Sequence, residues 1–188
     1  SYGAAGLHAD AYGSNKIEVK EGAVLDIKSD KGAGYGIHSF GSNSENELTA
    51  KYLDVTVKSY SNAIGVNAGG WSNSGKNTMN LTGKDAEGMA MTIVVNDDTV
   101  FAHFKKDNSA APAQGTAGMN ASGGDNTVNN LGGGNILIAA GYEMDDKGNL
   151  QRGEHIDIAH GMYASGNTNT INAGGAKVDI QVAGGVDG

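Results

Sequence analysis

The chain has 188 residues, including 31 Gly, 3 Phe, 1 Trp, 1 Pro and no Cys, and a formal charge of −8. The length suits one domain. With so few large side chains, its core must be a narrow one of Val, Ile, Leu, Ala and Met held between stacked short strands. Having no Cys excludes disulfides, thiolate metal sites and Cys nucleophiles. The acidic balance argues against nucleic acid and anionic membrane partners, which select Lys/Arg clusters. No run reaches the roughly 18 apolar residues of a membrane helix. The opening at Ser1 has no signal-peptide pattern and the chain runs out at Gly188, so it reads as a segment of a longer protein.

The predicted elements fall into five similar units. Unit one is Gly6-Leu7-His8-Ala9, then Asn15-Lys16-Ile17, then Val24-Leu25-Asp26-Ile27. Unit two is the least interrupted: Gly36-Ile37-His38-Ser39-Phe40, Asn46-Glu47-Leu48-Thr49 and Leu53-Asp54-Val55-Thr56-Val57. Its runs alternate apolar and polar residues, the period-2 mark of a strand with one buried face, and Gly, Ser and Asn between them form turns. Unit three is Gly65-Val66-Asn67-Ala68, Asn77-Thr78-Met79 and Met91-Thr92-Ile93-Val94. Unit four is Gly118-Met119-Asn120-Ala121, Asn126-Thr127-Val128 and Ile136-Leu137-Ile138. Unit five is Gly161-Met162-Tyr163-Ala164, Asn169-Thr170-Ile171 and Val178-Asp179-Ile180-Gln181-Val182.

The Asn-x-aliphatic element recurs from Ile17 to Leu48 to Met79 at intervals of 31, then after 49 residues at Val128 and 43 at Ile171. A period in this range signals a solenoid. The prediction is an all-β chain, a parallel β-helix of about three strands per coil. Each strand pairs with its equivalent in the next coil, and five to six coils give a rod about 25–30 Å long. The longer intervals imply two insertions, at about 96–114 and 142–158, within a single unit spanning 1–188. In the second insertion, alternating arms flank Asp145-Asp146-Lys147-Gly148-Asn149, which reads as a β-hairpin. The unit-start glycines have two readings: a positive φ, or crowding by a neighbouring backbone. The recurring Asn either bonds its own turn or stacks on the Asn of the next coil as an amide ladder.

The segments Tyr35-Gly36-Ile37-His38-Ser39, Gly161-Met162-Tyr163-Ala164-Ser165 and Ala63-Ile64-Gly65-Val66-Asn67-Ala68 carry a yGi-x-[AS] pattern. Followed by G-x-N-x-aliphatic and V-x-[VI], it resembles the passenger domains of bacterial autotransporter adhesins (type V secretion). The resemblance implies a right-handed parallel β-helix, exported across both membranes and displayed outside the cell on the bacterial surface. The lack of Cys fits such passengers. Neither the family's translocating barrel nor a signal peptide lies in this chain.

His8 and His38 hold the same place in successive units and are expected to stack, as a solvated outward row in preference to a metal site. No Ser sits in a G-x-S-x-G elbow. Paired carboxylates for glycoside chemistry are not evident, since the acids gather in insertions and turns such as Asp97-Asp98 and Asp145-Asp146. Glu143 to Glu154 has the spacing of a calcium loop, but Lys147 takes a ligand position. Ser122–Val128 lacks the spacing of the nonapeptide calcium roll. Asn80-Leu81-Thr82 and Asn120-Ala121-Ser122 match the N-glycosylation pattern. The better binding candidates are aromatic and basic residues on loops: Trp71, Phe101, Phe104, Lys105 and Lys106.

The expectation is a non-catalytic adhesin segment with no metal and no cofactor. Its expected partner is a host or bacterial surface protein or glycan, with self-association as a variant, and it neither binds nucleic acid nor inserts into a membrane. The alternatives are a carbohydrate-active β-helix, such as a polysaccharide lyase or tailspike-like fragment, and a purely structural stalk.

Overall fold

The computed structural model describes residues 3–9, 13–41, 43–69, 75–97, 115–153, 158–165 and 167–184. Seventeen strands and no helix are found among these residues. Coil one comprises β1 (Ala4–Ala9), β2 (Ser14–Glu18) and β3 (Ala23–Ser29). Coil two comprises β4 (Gly34–Ser39), β5 (Glu45–Ala50) and β6 (Leu53–Ser59). Coil three comprises β7 (Ala63–Ala68), β8 (Lys76–Leu81) and β9 (Met89–Asp97). Coil four comprises β10 (Thr116–Ala121), β11 (Asn126–Asn130) and β12 (Asn135–Ala140). A short hairpin, β13 (Tyr142–Met144) and β14 (Leu150–Arg152), follows. Coil five comprises β15 (Ala159–Ala164), β16 (Asn169–Asn172) and β17 (Val178–Val182).

The fold is a parallel β-helix. The first sheet runs β1-β4-β7-β10-β15, the second β2-β5-β8-β11-β16 and the third β3-β6-β9-β12-β17. Every pairing in these sheets is parallel, and among the described strands only β13 with β14 is antiparallel. Ile17, Leu48, Met79, Val128 and Ile171 stand in one column, as the spacing predicted. The core is a stack of such columns: Leu25, Val55, Ile93, Ile138 and Ile180 in the third sheet, and Leu7, Ile37, Val66, Met119 and Met162 in the first. In coils two to four these side chains are fully buried, each contributing about 1.5–3 kcal/mol. Three aliphatics of coil five, Val178, Ile180 and Val182, are 37–46% exposed, because no described strand stacks on β17 beyond β12.

Two columns explain why the small residues recur. Gly6, Gly36, Gly65, Gly118 and Gly161 align at one corner, and none has a positive φ, so crowding is the reading that holds. A Cβ on Gly65 would lie 2.6 Å from the Gly118 carbonyl oxygen and 2.6 Å from Ile93 Cγ2. The second column is the amide ladder. Asn15 donates to Asn46 Oδ1 (2.9 Å), Asn46 to Asn77 Oδ1 (2.8 Å), Asn77 to Asn126 Oδ1 (2.7 Å) and Asn126 to Asn169 Oδ1 (2.8 Å). Each of these four donors also gives its second N–H to a first-sheet carbonyl: His38, Asn67, Asn120 and Tyr163 in turn, all at 2.7 Å. The ladder therefore ties the second sheet to the first at every corner, where buried amides must find partners.

Candidate functional site

The residues singled out for binding, Trp71, Phe101, Phe104, Lys105 and Lys106, lie outside the described residues, as does all of the first insertion beyond Asp97. The described residues offer four other places where chemistry-bearing side chains meet.

The first is the outer side of the first sheet. Gly36 and Ile37 are adjacent, yet Gly36 abuts Val55 and Ile37 joins the core, so the strand bends at the glycine. The pairing register skips this glycine in all four strand pairs. The bend brings together rings three residues apart, which in a straight strand lie on opposite faces about 10 Å apart. Tyr35 meets His38 edge-on at 4.1 Å between centroids, and His160 meets Tyr163 at 4.9 Å. His8 stacks on His38 at 4.9 Å, as expected, and Phe40 follows at 6.2 Å. The expected solvated row holds for His8, which is exposed, and is corrected for His38, which is only 6% exposed, being packed among Tyr35, His8 and Phe40 on the concave side of the bend. A polar chain continues from it. Asn120 donates to Asn67 Oδ1 (2.6 Å), and the Asn67 amide nitrogen lies 3.4 Å from His38 Nδ1. Burial raises the Tyr35 hydroxyl above its ordinary pKa and lowers the His160 imidazole below its own. Ile64, Asn67, Ala117 and Asn120 on this side are buried, so the middle of the bend offers little surface to a ligand.

The second place is the outer flank of the third sheet. Asp54 stands between Val24 and Thr92 in its column. Its carboxyl is pushed above the ordinary range, first by burial and then by Asp85, Asp26 and Glu87. Asp85 is held in a tight turn by accepting the Met89 amide at 2.7 Å. Sequence reasoning missed this acidic group because Asp85 and Glu87 come from the turn before β9. Only the coil register, which brings β9 beside β6, could have revealed it.

The third is the hairpin. The antiparallel arms predicted around residues 145–149 are present, pairing Tyr142 with Arg152 and Met144 with Leu150. The hairpin packs on β9, and Glu143 Oε2 receives Lys58 Nζ at 2.6 Å. Asp145 closes the tip by accepting the amides of Asn149 (2.8 Å) and Lys147 (2.9 Å). Hydrogen bonds from the Asn149 main chain and side chain dominate in holding its carboxyl below the ordinary range. These bonds occupy two of the acids a calcium loop would use. Asp125 is likewise spent, on the Thr168 amide at 3.0 Å. No group of three or more potential metal ligands gathers among the described residues.

The fourth is the outer face of the second sheet, where Thr78, Thr127 and Thr170 form one column and Asn80, Asn129 and Asn172 another. Asn172 donates to Asn129 Oδ1 (2.8 Å), Asn129 to Asn80 Oδ1 (2.8 Å) and Asn80 to Thr49 Oγ1 (3.4 Å). Both glycosylation-pattern asparagines, Asn80 and Asn120, are thus engaged within the chain. A shallow pocket lined by Lys28, Ser29, Asp30, Lys58 and Tyr60 lies at the edge of the third sheet.

No family model, no curated protein and no solved structure matches this chain.

Proposed function

We infer that the chain is a non-catalytic segment of an adhesin displayed on the bacterial cell surface, a rod that presents its flanks to a host or bacterial surface protein or glycan. The observation that carries this reading is a coil stack kept in register through both long intervals, with a hairpin pinned to its flank by Lys58 and Glu143. Such a scaffold suits display, since changes confined to a loop leave the columns intact. The yGi-x-[AS] resemblance to autotransporter passengers supports the same reading and supplies the expected location. In the test, beads coated with the chain are compared with bare beads and with beads carrying a variant in which residues 142–152 are replaced by a short turn. Adhesion to epithelial or bacterial cells above the bare-bead level is expected, with a partial loss for the variant. Adhesion no greater than that of bare beads would count against the reading.

The acidic group around Asp54 favours a second reading, a carbohydrate-active β-helix, because a carboxyl raised by burial and by like charges suits a general acid. Release of reducing ends from a polysaccharide panel, abolished by Asp54→Asn, is its signature.

A further inference from the structure

The motif Asn-Thr-aliphatic-Asn occurs three times, as Asn77-Thr78-Met79-Asn80, Asn126-Thr127-Val128-Asn129 and Asn169-Thr170-Ile171-Asn172. Its first Asn belongs to the inner ladder and its aliphatic residue to the core. Neither the Thr nor the second Asn is needed by the fold. Coil one places Lys16 and Glu18 in the same two columns and coil two places Glu47 and Thr49, with the same pairing. In coils three to five these columns are therefore uncharged and repeated for a reason other than folding.

The side chains there are already fixed. The amide chain holds each Asn in place, and Thr is stiff at χ1. Along this chain, Asn80 and Asn129 each spend one N–H and accept one bond, and an amide offers two of each. One donor and one acceptor per coil thus remain for a partner, beside a row of Thr hydroxyls. The groups repeat about 4.8 Å apart along the axis and about 6.6 Å apart across it. Because the rotamers are set before binding, contact costs little side-chain entropy.

We propose that this outer face is a docking strip for an uncharged, extended β-linked glycan lying along the coil axis, about one sugar per coil. The proposal rests on the attachment reading and names the partner for one flank. Two features select this occupant. In coils three to five the Thr and Asn columns carry no charge, with Lys76 and Glu47 at their border, while the chain as a whole carries −8, which disfavours uronate-rich or sulfated glycans. In addition, an extended β-linked chain advances by nearly one inter-strand spacing per sugar, so each coil meets the hydroxyls of one sugar, the ring diol and the exocyclic hydroxymethyl alternating from coil to coil.

The test uses the whole chain and two probes, cellohexaose and an oligogalacturonate of equal length, followed through the side-chain amide signals of the asparagines. Saturable shifts of Asn80, Asn129 and Asn172 with cellohexaose are expected, at millimolar affinity and with no response to the acidic probe. Thr127→Lys, which copies the residue coil one carries in that column, should keep the fold and weaken binding at least tenfold. The absence of saturable shifts, equal binding of the oligogalacturonate, unchanged binding by Thr127→Lys, or sedimentation showing the strip occupied by a second copy of the chain would each overturn the proposal. If Thr127→Lys leaves bead adhesion intact, the strip fails while the attachment reading stands.

Discussion

The two asparagine columns of the second sheet use the same side chain in opposite ways. The inner ladder is buried from Asn46 to Asn126, and its four donors reach both the next coil and a first-sheet carbonyl. The outer column faces solvent and bonds chiefly to itself, and its donors point back toward coil two while those of the ladder point toward coil five. Every coil carries the inner Asn, whereas only coils three to five carry the outer one. The difference separates what the fold requires from what it permits. An inward amide left unpaired costs its desolvation, about 1–3 kcal/mol, while an outward one finds water.

Substitutions can break this contrast in order of expected effect. Gly65→Val should be most damaging, since its Cβ meets the Gly118 carbonyl and Ile93; a loss above about 4 kcal/mol, or failure to fold, is expected in a denaturant melt. Asn77→Ala comes next. It leaves the Asn46 donor without its acceptor, removes the bonds to the Asn120 carbonyl and Asn126 Oδ1, and opens a small cavity, a loss of about 2–4 kcal/mol. Lys58→Ala removes the tie to Glu143, a pair 41% and 33% exposed, and should cost about 0.5–1 kcal/mol and loosen the hairpin by hydrogen exchange.

Asn129→Ala should cost about 0.5 kcal/mol or less, because both of its neighbours in the chain can turn to water. Asp54→Asn should have the opposite sign. The folded carboxyl has a raised pKa, so the native state holds its proton to higher pH than the unfolded chain does. Its contribution is fully present below the ordinary carboxylate pKa and is lost as pH rises through the folded value. The variant should therefore melt slightly higher than the parent at pH 7, with the gap closing as pH falls below about 4.

Much of the scaffold was legible because its signals are periodic along the chain. The 31-residue interval aligned Ile17, Leu48 and Met79, and the later columns followed despite the longer intervals. The hairpin was equally readable, since turn residues specify it locally, whereas the recurring Asn left a turn bond and a ladder both open until the Asn–Asn bonds decided for the ladder. The glycine column was legible only as a choice between two causes, and the neighbouring carbonyl decides it. What escaped the sequence depends on curvature and on lateral neighbours. Polar-apolar alternation assigns His38 to the solvent side, but the bend at Gly36 folds Tyr35 and Phe40 around it. The acids around Asp54 belong to separate coils and a turn, so no window of sequence contains them. The loop residues proposed for binding, Trp71 and Phe101 among them, fall outside the described residues.

The inward columns hold the coils together, while the outward columns are free to serve binding. Paired thermal melts of Asn77→Ala and Asn129→Ala test it most directly, since the two residues lie in adjacent coils of one sheet. Asn77→Ala should lower the melting temperature by roughly 4–16 °C and Asn129→Ala by less than about 2 °C. Equal losses, or a larger loss at Asn129, would contradict it.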